Sequence, residues 1–86
     1  MIDDFIEWAV DQFLPSFKGQ TESLRVLRFH PEAVVFGVMN KLADLAGVYQ
    51  VTKETDNFFF QPHETAERIT EILKQRLTKE LAAITE

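Results

Sequence analysis

The sequence predicts an α+β domain that is mostly helical, with three main helices at residues 2–17, 31–46 and 63–84 and one β-hairpin at residues 48–61. Apolar residues recur at spacings of three and four along the three long segments, which is the helical period. Between the last two helices, two β-prone runs flank a turn-like stretch, Glu54–Asn57, which is typical of a hairpin.

The first predicted helix has an apolar stripe formed by Ile2, Phe5, Ile6, Ala9, Phe13 and Phe17. Pro15 lacks the backbone N–H that a helix interior uses, so the helix is expected to end or kink near Leu14. Residues 23–29 are compatible with a strand or with a short helix, and their β-branched and aromatic content favours extended structure.

The second predicted helix is the central one, and it begins at Pro31, where a missing N–H costs nothing. Gly47 is a typical helix stop. The stripe expected in the core is Val34, Val35, Val38, Leu42, Leu45 and Ala46, and Phe36, Met39 and Ala43 widen it past half of the circumference.

The hairpin contains three consecutive phenylalanines. On a strand, Phe58 and Phe60 share one face and Phe59 takes the other, so both faces need to be covered by this chain or by a partner. Pro62 ends this segment. The last helix then follows with a narrow apolar stripe of Ala66, Ile69, Leu73, Leu77, Leu81 and Ile84.

The stretch Leu42–Val48 resembles the first half of the helix-turn-helix signature of bacterial and phage repressors, with Ala43 at the helix packing position and Gly47 at the turn. That resemblance implies DNA binding, with a recognition helix that begins near Tyr49. Because the residues after Gly47 are β-prone, the hairpin is the preferred interpretation. A winged-helix arrangement, with residues 48–61 as the wing, is a variant of the same fold class.

The excess negative charge lies almost entirely at one end of the chain. The formal net charge is −5, and residues 1–17 carry Asp3, Asp4, Glu7 and Asp11 without any Lys or Arg. A nucleic-acid partner is therefore not expected, because binding to phosphate requires a basic patch.

Composition excludes several classes of function. The chain has no Cys, so disulfides and thiolate sites are excluded and the reducing cytoplasm is the expected location. We expect one domain over residues 1–86, without a signal peptide or a membrane span. His63 and Glu67 are the nearest approach to a metal-ligand pair, and two ligands do not make a site. No cofactor, metal or catalytic motif is predicted, and the chain is not expected to be an enzyme.

These observations predict a protein-interaction module, such as an adaptor, assembly factor or inhibitor, that binds another protein, itself, or both. Its alternative is a helix-turn-helix or winged-helix DNA-binding regulator. A homodimer is expected because a short chain gains stability by burying more apolar surface. The candidate partner-binding residues lie on the first helix, in the hairpin and at the end of the last helix: Trp8, Asp4, Asp11, Phe58, Phe60, Leu77, Leu81 and Ile84.

Overall fold

The computed structural model describes residues 2–85, and within that range the chain forms five α-helices and no strand. The helices are α1 (Ile2–Phe13), α2 (Thr21–Phe29), α3 (Pro31–Lys53), α4 (Pro62–Arg76) and α5 (Thr78–Ala82), and a 3-10 turn at Leu14–Ser16 follows α1. No helix in this range has both the length and the apolar character required to cross a bilayer.

The longest helix, α3, is the central element on which the other helices pack. Its 23 residues span about 34 Å at 1.5 Å per residue, which is most of the 43 Å length of the protein. The contact between α3 and α4 is the most extensive one between any two helices of the structure. Helices α1, α2 and α5 pack around this pair and complete one continuous hydrophobic core. Its fully buried large side chains are Phe5, Val10, Leu27, Leu42, Ile69, Leu73 and Leu77.

The predicted hairpin at residues 48–61 is wrong, and with it the α+β class. The segment Val48–Thr52 continues α3, and residues 55–61 form an irregular loop. Tyr49 explains the difference, because it falls on the same helical stripe as Leu42 and Ala46 and is only 5% exposed. Burial of a large ring outweighs the β propensity of its neighbours.

The predicted end of the central helix at residue 46 is also corrected. Helix α3 passes through Gly47 and stops at Glu54, which adopts a left-handed conformation (φ 53°, ψ 46°) and donates its N–H to the carbonyl of Gln50. Since no turn forms at Gly47, residues 42–52 do not build the two helices of a helix-turn-helix motif. A wing at residues 48–61 is absent for the same reason.

The two outer predicted helices have different bounds from those expected. The first ends at Phe13, and the 3-10 turn around Pro15 replaces its last turn, as the missing N–H of proline indicated. The last predicted helix, 63–84, is two helices, because α4 ends at Arg76 and α5 starts at Thr78.

The segment for which extended structure was favoured, residues 23–29, belongs to α2. Leu24 and Leu27 lie one turn apart on its inner side, and both are buried. Helix α2 packs against α5, where the Arg28 guanidinium donates a 2.6 Å hydrogen bond to the Leu81 carbonyl oxygen. This contact covers the end of the C-terminal apolar stripe within the monomer.

We predict that Leu77→Ala lowers the free energy of unfolding by about 2–4 kcal/mol, because the side chain is completely buried and its loss leaves a cavity. Urea denaturation followed by circular dichroism measures the change. The exposed neighbour provides the control, since Lys79→Ala should shift the free energy by less than about 0.5 kcal/mol. Equal effects of the two substitutions would contradict the position of Leu77 in the core.

Candidate interaction surface

An aromatic cluster joins α1, the C-terminal half of α3 and the loop that follows it. The ring of Phe5 is its centre, with centroids 5.3 Å from Tyr49, 5.0 Å from Phe58 and 5.7 Å from Phe60. Trp8 lies beside Tyr49 at 5.2 Å. Edge-to-face and tilted pairs at such distances stabilise beyond the area they bury. The cluster therefore fixes the loop against the helices.

This arrangement leaves one phenylalanine of the triplet fully in solvent. Phe59 is 99% exposed, while Phe58 and Phe60 are half-buried against the core. The backbone from residue 55 to residue 61 is irregular, yet the three phenylalanine side chains alternate between the core and the solvent. Among the predicted partner-binding residues, Phe58 and Phe60 thus hold the loop in place, and the exposed ring is the neighbour that lies between them.

A cleft of about 330 Å³ opens beside Phe59 at the junction of α1, the loop and α4. Phe59 and Ile2 line it with apolar surface, and Glu64 and Arg68 contribute polar groups. The Arg68 guanidinium is held 3.1 Å from the Asp3 carboxylate, so its position beside the cleft is partly fixed. The site combines an exposed ring with an open, partly apolar recess.

The acidic residues of α1 face the basic residues of α4. Arg76 lies 2.9 Å from Asp11 and 3.1 Å from Glu7, and Arg68 pairs with Asp3. Asp4 is exposed and has no ion pair within residues 2–85. The predicted acidic face is therefore largely neutralised inside the monomer, although exposed pairs of this kind contribute at most about 1 kcal/mol each to stability.

Trp8 is not on an open surface. It is half-buried and stacks near Phe5, with centroids 6.2 Å apart. Of the predicted C-terminal contacts, Leu77 is completely buried, Leu81 is 8% exposed and Ile84 packs against the core. Helix α2 supplies the neighbour that the sequence interpretation lacked, because it took residues 23–29 as extended. Leu77 and Leu81 are therefore covered within the monomer, whereas Ile84 keeps part of its surface exposed.

Sequence reasoning missed a second apolar surface, the outer face of α3. Phe36 is 62% exposed, Val48 52% and Val51 80%. The sequence interpretation placed Phe36 with the buried stripe, because apolar residues cover more than half of the helix. That excess was the available signal, since a helix packed on one side can bury only about half of its circumference.

Two glycines interrupt this outer face, at positions 37 and 47. Each weakens the helix interior by about 1 kcal/mol relative to alanine. A Cβ built on either glycine would meet no atom within 4 Å. Packing within the monomer therefore gives no reason for glycine at either position.

The polar residues in the described part of the chain do not assemble a metal site. His63 and Glu67 approach to 3.9 Å on the outside of α4. Among residues 2–85, no group of three His, Cys, Asp or Glu side chains lies close enough to hold a metal ion. Comparison with protein-family models, curated proteins and solved structures finds no match to this chain.

We predict that Phe58→Ala and Phe59→Ala have different effects on stability. Loss of the half-buried Phe58 ring should lower the free energy of unfolding by about 2 kcal/mol, whereas loss of the exposed Phe59 ring should change it by less than about 0.5 kcal/mol. Trp8 reports on the same cluster, so its fluorescence emission should shift to longer wavelength only in Phe58→Ala. Similar emission spectra for the two variants would contradict the packing of this loop.

We predict that Gly47→Ala stabilises the monomer in dilute solution by about 0.5–1 kcal/mol. Alanine has the higher helix propensity, and the added methyl group meets no neighbour. Thermal unfolding at low protein concentration measures the change. Gly19→Ala is the contrasting variant, because Gly19 has φ +70° and alanine is strained there. A loss of monomer stability in Gly47→Ala would contradict the open surroundings of this residue.

Proposed function

We propose that this chain is a non-enzymatic protein-interaction module, such as an adaptor, assembly factor or inhibitor, and that Phe59 is its principal contact with another protein. The observation that carries the proposal is the position of this ring, which is 99% exposed between two phenylalanines that pack on the core. A single exposed apolar side chain is ordinary on protein surfaces. Phe59 differs because its backbone is fixed on both sides and a cleft lies next to it.

A fixed anchor favours binding. Association loses free energy when loops and side chains become ordered, and a loop already held by Phe58 and Phe60 loses less. A phenylalanine ring that enters a pocket removes a large apolar area from water, and each Å² contributes roughly 25 cal/mol. Aromatic anchors that fill pockets are typical of the few residues that dominate interface energies.

The cleft beside Phe59 suits an apolar side chain of the partner with a polar group next to it. Ile2 and Phe59 would contact the apolar part, and Glu64 lies at the edge for a basic or hydroxyl group. Asp4 is the acidic residue of α1 that stays available for such contacts, because the other three pair with α4. We therefore propose that acidic residues contribute less to partner binding than the charge of residues 1–17 indicates.

Composition and charge support the proposed location and the remaining partners. We place the protein in the cytoplasm, because a domain without cysteine has no disulfide that an oxidising compartment would preserve. A second copy of the chain is proposed as a further partner, on a different surface. Nucleic acid is not proposed as a partner, since the basic residues Arg68 and Arg76 are engaged by acids of α1.

We predict that a photoreactive phenylalanine analogue at position 59 crosslinks a specific partner in the native host, while the same analogue at Val26 does not. Both side chains are apolar and reach the solvent, Phe59 with 99% and Val26 with 36% of its surface, and the analogue introduces the same reactive ring at both positions. The crosslinked protein is identified by mass spectrometry and purified.

With the purified partner, titration calorimetry should show binding that Phe59→Ser weakens by about thirtyfold, the effect of losing an interface hot spot. Val26→Ser should bind like the unaltered protein. Undiminished affinity of Phe59→Ser, with circular dichroism showing that it is folded, would refute the role of Phe59.

A further inference from the structure

The outer face of α3 is complementary to itself. On a helix with 3.6 residues per turn, residues eleven apart lie about 20° apart around the axis. Phe36 therefore lies almost in line with Gly47, and Gly37 lies almost in line with Val48. Each pair joins one large exposed side chain to one exposed glycine.

In the first pair the large side chain, Phe36, comes before the glycine, and in the second pair the glycine, Gly37, comes before the large side chain. When two identical helices pack antiparallel, this arrangement sets each large side chain opposite a glycine of the other copy. A two-fold axis over the outer side of α3 near position 42 sets Phe36 of one copy above Gly47 of the other. The same axis sets Val48 above Gly37 and brings Asn40 opposite Asp44. Such an interface is isologous, since each contact occurs twice.

The surface around the glycines has the shape that such contacts need. One open depression is lined by Gly47, Val48 and Val51 among others, and another by Gly37 with residues of α1 and the turn after it. Large side chains packed opposite small ones give the dense interdigitation found in protein interiors. The glycines, which only weaken the isolated helix, then allow close approach of a second backbone.

The distribution of charge also favours this face for a second copy. The chain has a net charge of −5, so two copies repel each other over most orientations. The outer face of α3 carries Asp44 and, at its edge, Lys41, so the net charge of this face is close to zero. Of the acids of α1, Asp3, Glu7 and Asp11 are paired with arginines of α4, and Asp4 is exposed.

We propose that this protein forms an antiparallel homodimer through the outer face of α3, with Phe36 of each copy seated on Gly47 of the other. This inference rests on the proposed self-association and deepens it, because it places the contact on the outer face of α3 and the adjoining turn after α1 and leaves Phe59 free. A face about 34 Å long and roughly 10 Å wide is smaller than a standard interface. The dimer is accordingly weak and depends on protein concentration.

Sedimentation equilibrium of the full chain tests the proposal with two single variants, Phe36→Lys and Gly47→Glu. Both positions are exposed in the monomer, so both variants should remain folded, and circular dichroism checks this. The unaltered protein should form dimers at ~100 µM, the range of weak interfaces. Each variant alone should self-associate at least about tenfold more weakly, as expected for a central contact.

An equimolar mixture of the two variants identifies the register. In the mixed dimer, the lysine introduced at position 36 of one copy meets the glutamate introduced at position 47 of the other as an opposite-charge pair. The second contact of that dimer keeps Phe36 on Gly47, so association should recover. Phe59→Ser is the control, and it should dimerise like the unaltered protein. A monomeric unaltered protein, or a mixture that associates no better than its components, would overturn the proposal.

Discussion

The packing of Tyr49 against Phe5 determines much of this structure. The two rings lie 5.3 Å apart, and Tyr49 reaches this position only if α3 continues as a helix past Gly47. The continued helix then places the end of α3 beside the start of α1. From there the chain must return to α4 through a short loop, and Phe58 and Phe60 pack on the same Phe5 ring as it does so.

The same constraint distributes apolar residues between core and surface. A helix extended to Lys53 has apolar residues around nearly its whole circumference, but α1, α2 and α4 cover only one side. Phe36, Val48 and Val51 are left outside as a consequence. Phe59 is exposed for a related reason, because its neighbours Phe58 and Phe60 both pack on the Phe5 ring and the side chain between them points away from the core. Both proposed interaction surfaces therefore follow from how the core is filled, and they lie on different elements.

Electrostatic interactions orient the helices more than they stabilise them. The acids of α1 and the arginines of α4 are separated by more than 60 residues in sequence but by about 3 Å in space. Exposed pairs contribute little free energy, yet they favour one rotation of α1 against α4. They also reduce the acidic surface that the concentration of charge in residues 1–17 predicted, and Asp4 is the acid of α1 that is left outside these pairs.

The sequence by itself determined the existence of the helices that begin near residues 2, 31 and 62, because their apolar period and the prolines at positions 31 and 62 are local signals. It also indicated the break near Pro15. The alternation of Phe58, Phe59 and Phe60 was predicted for a strand, and it occurs in an irregular loop instead. Only the tertiary structure decided that residues 48–53 are helical and that residues 23–29 are not extended. In both segments the local propensities are nearly balanced or favour a strand, and burial of Tyr49 in one and of Leu24 and Leu27 in the other supplies the deciding free energy. The candidate surface could not be predicted for the same reason, since a side chain is exposed or buried according to which other elements reach it.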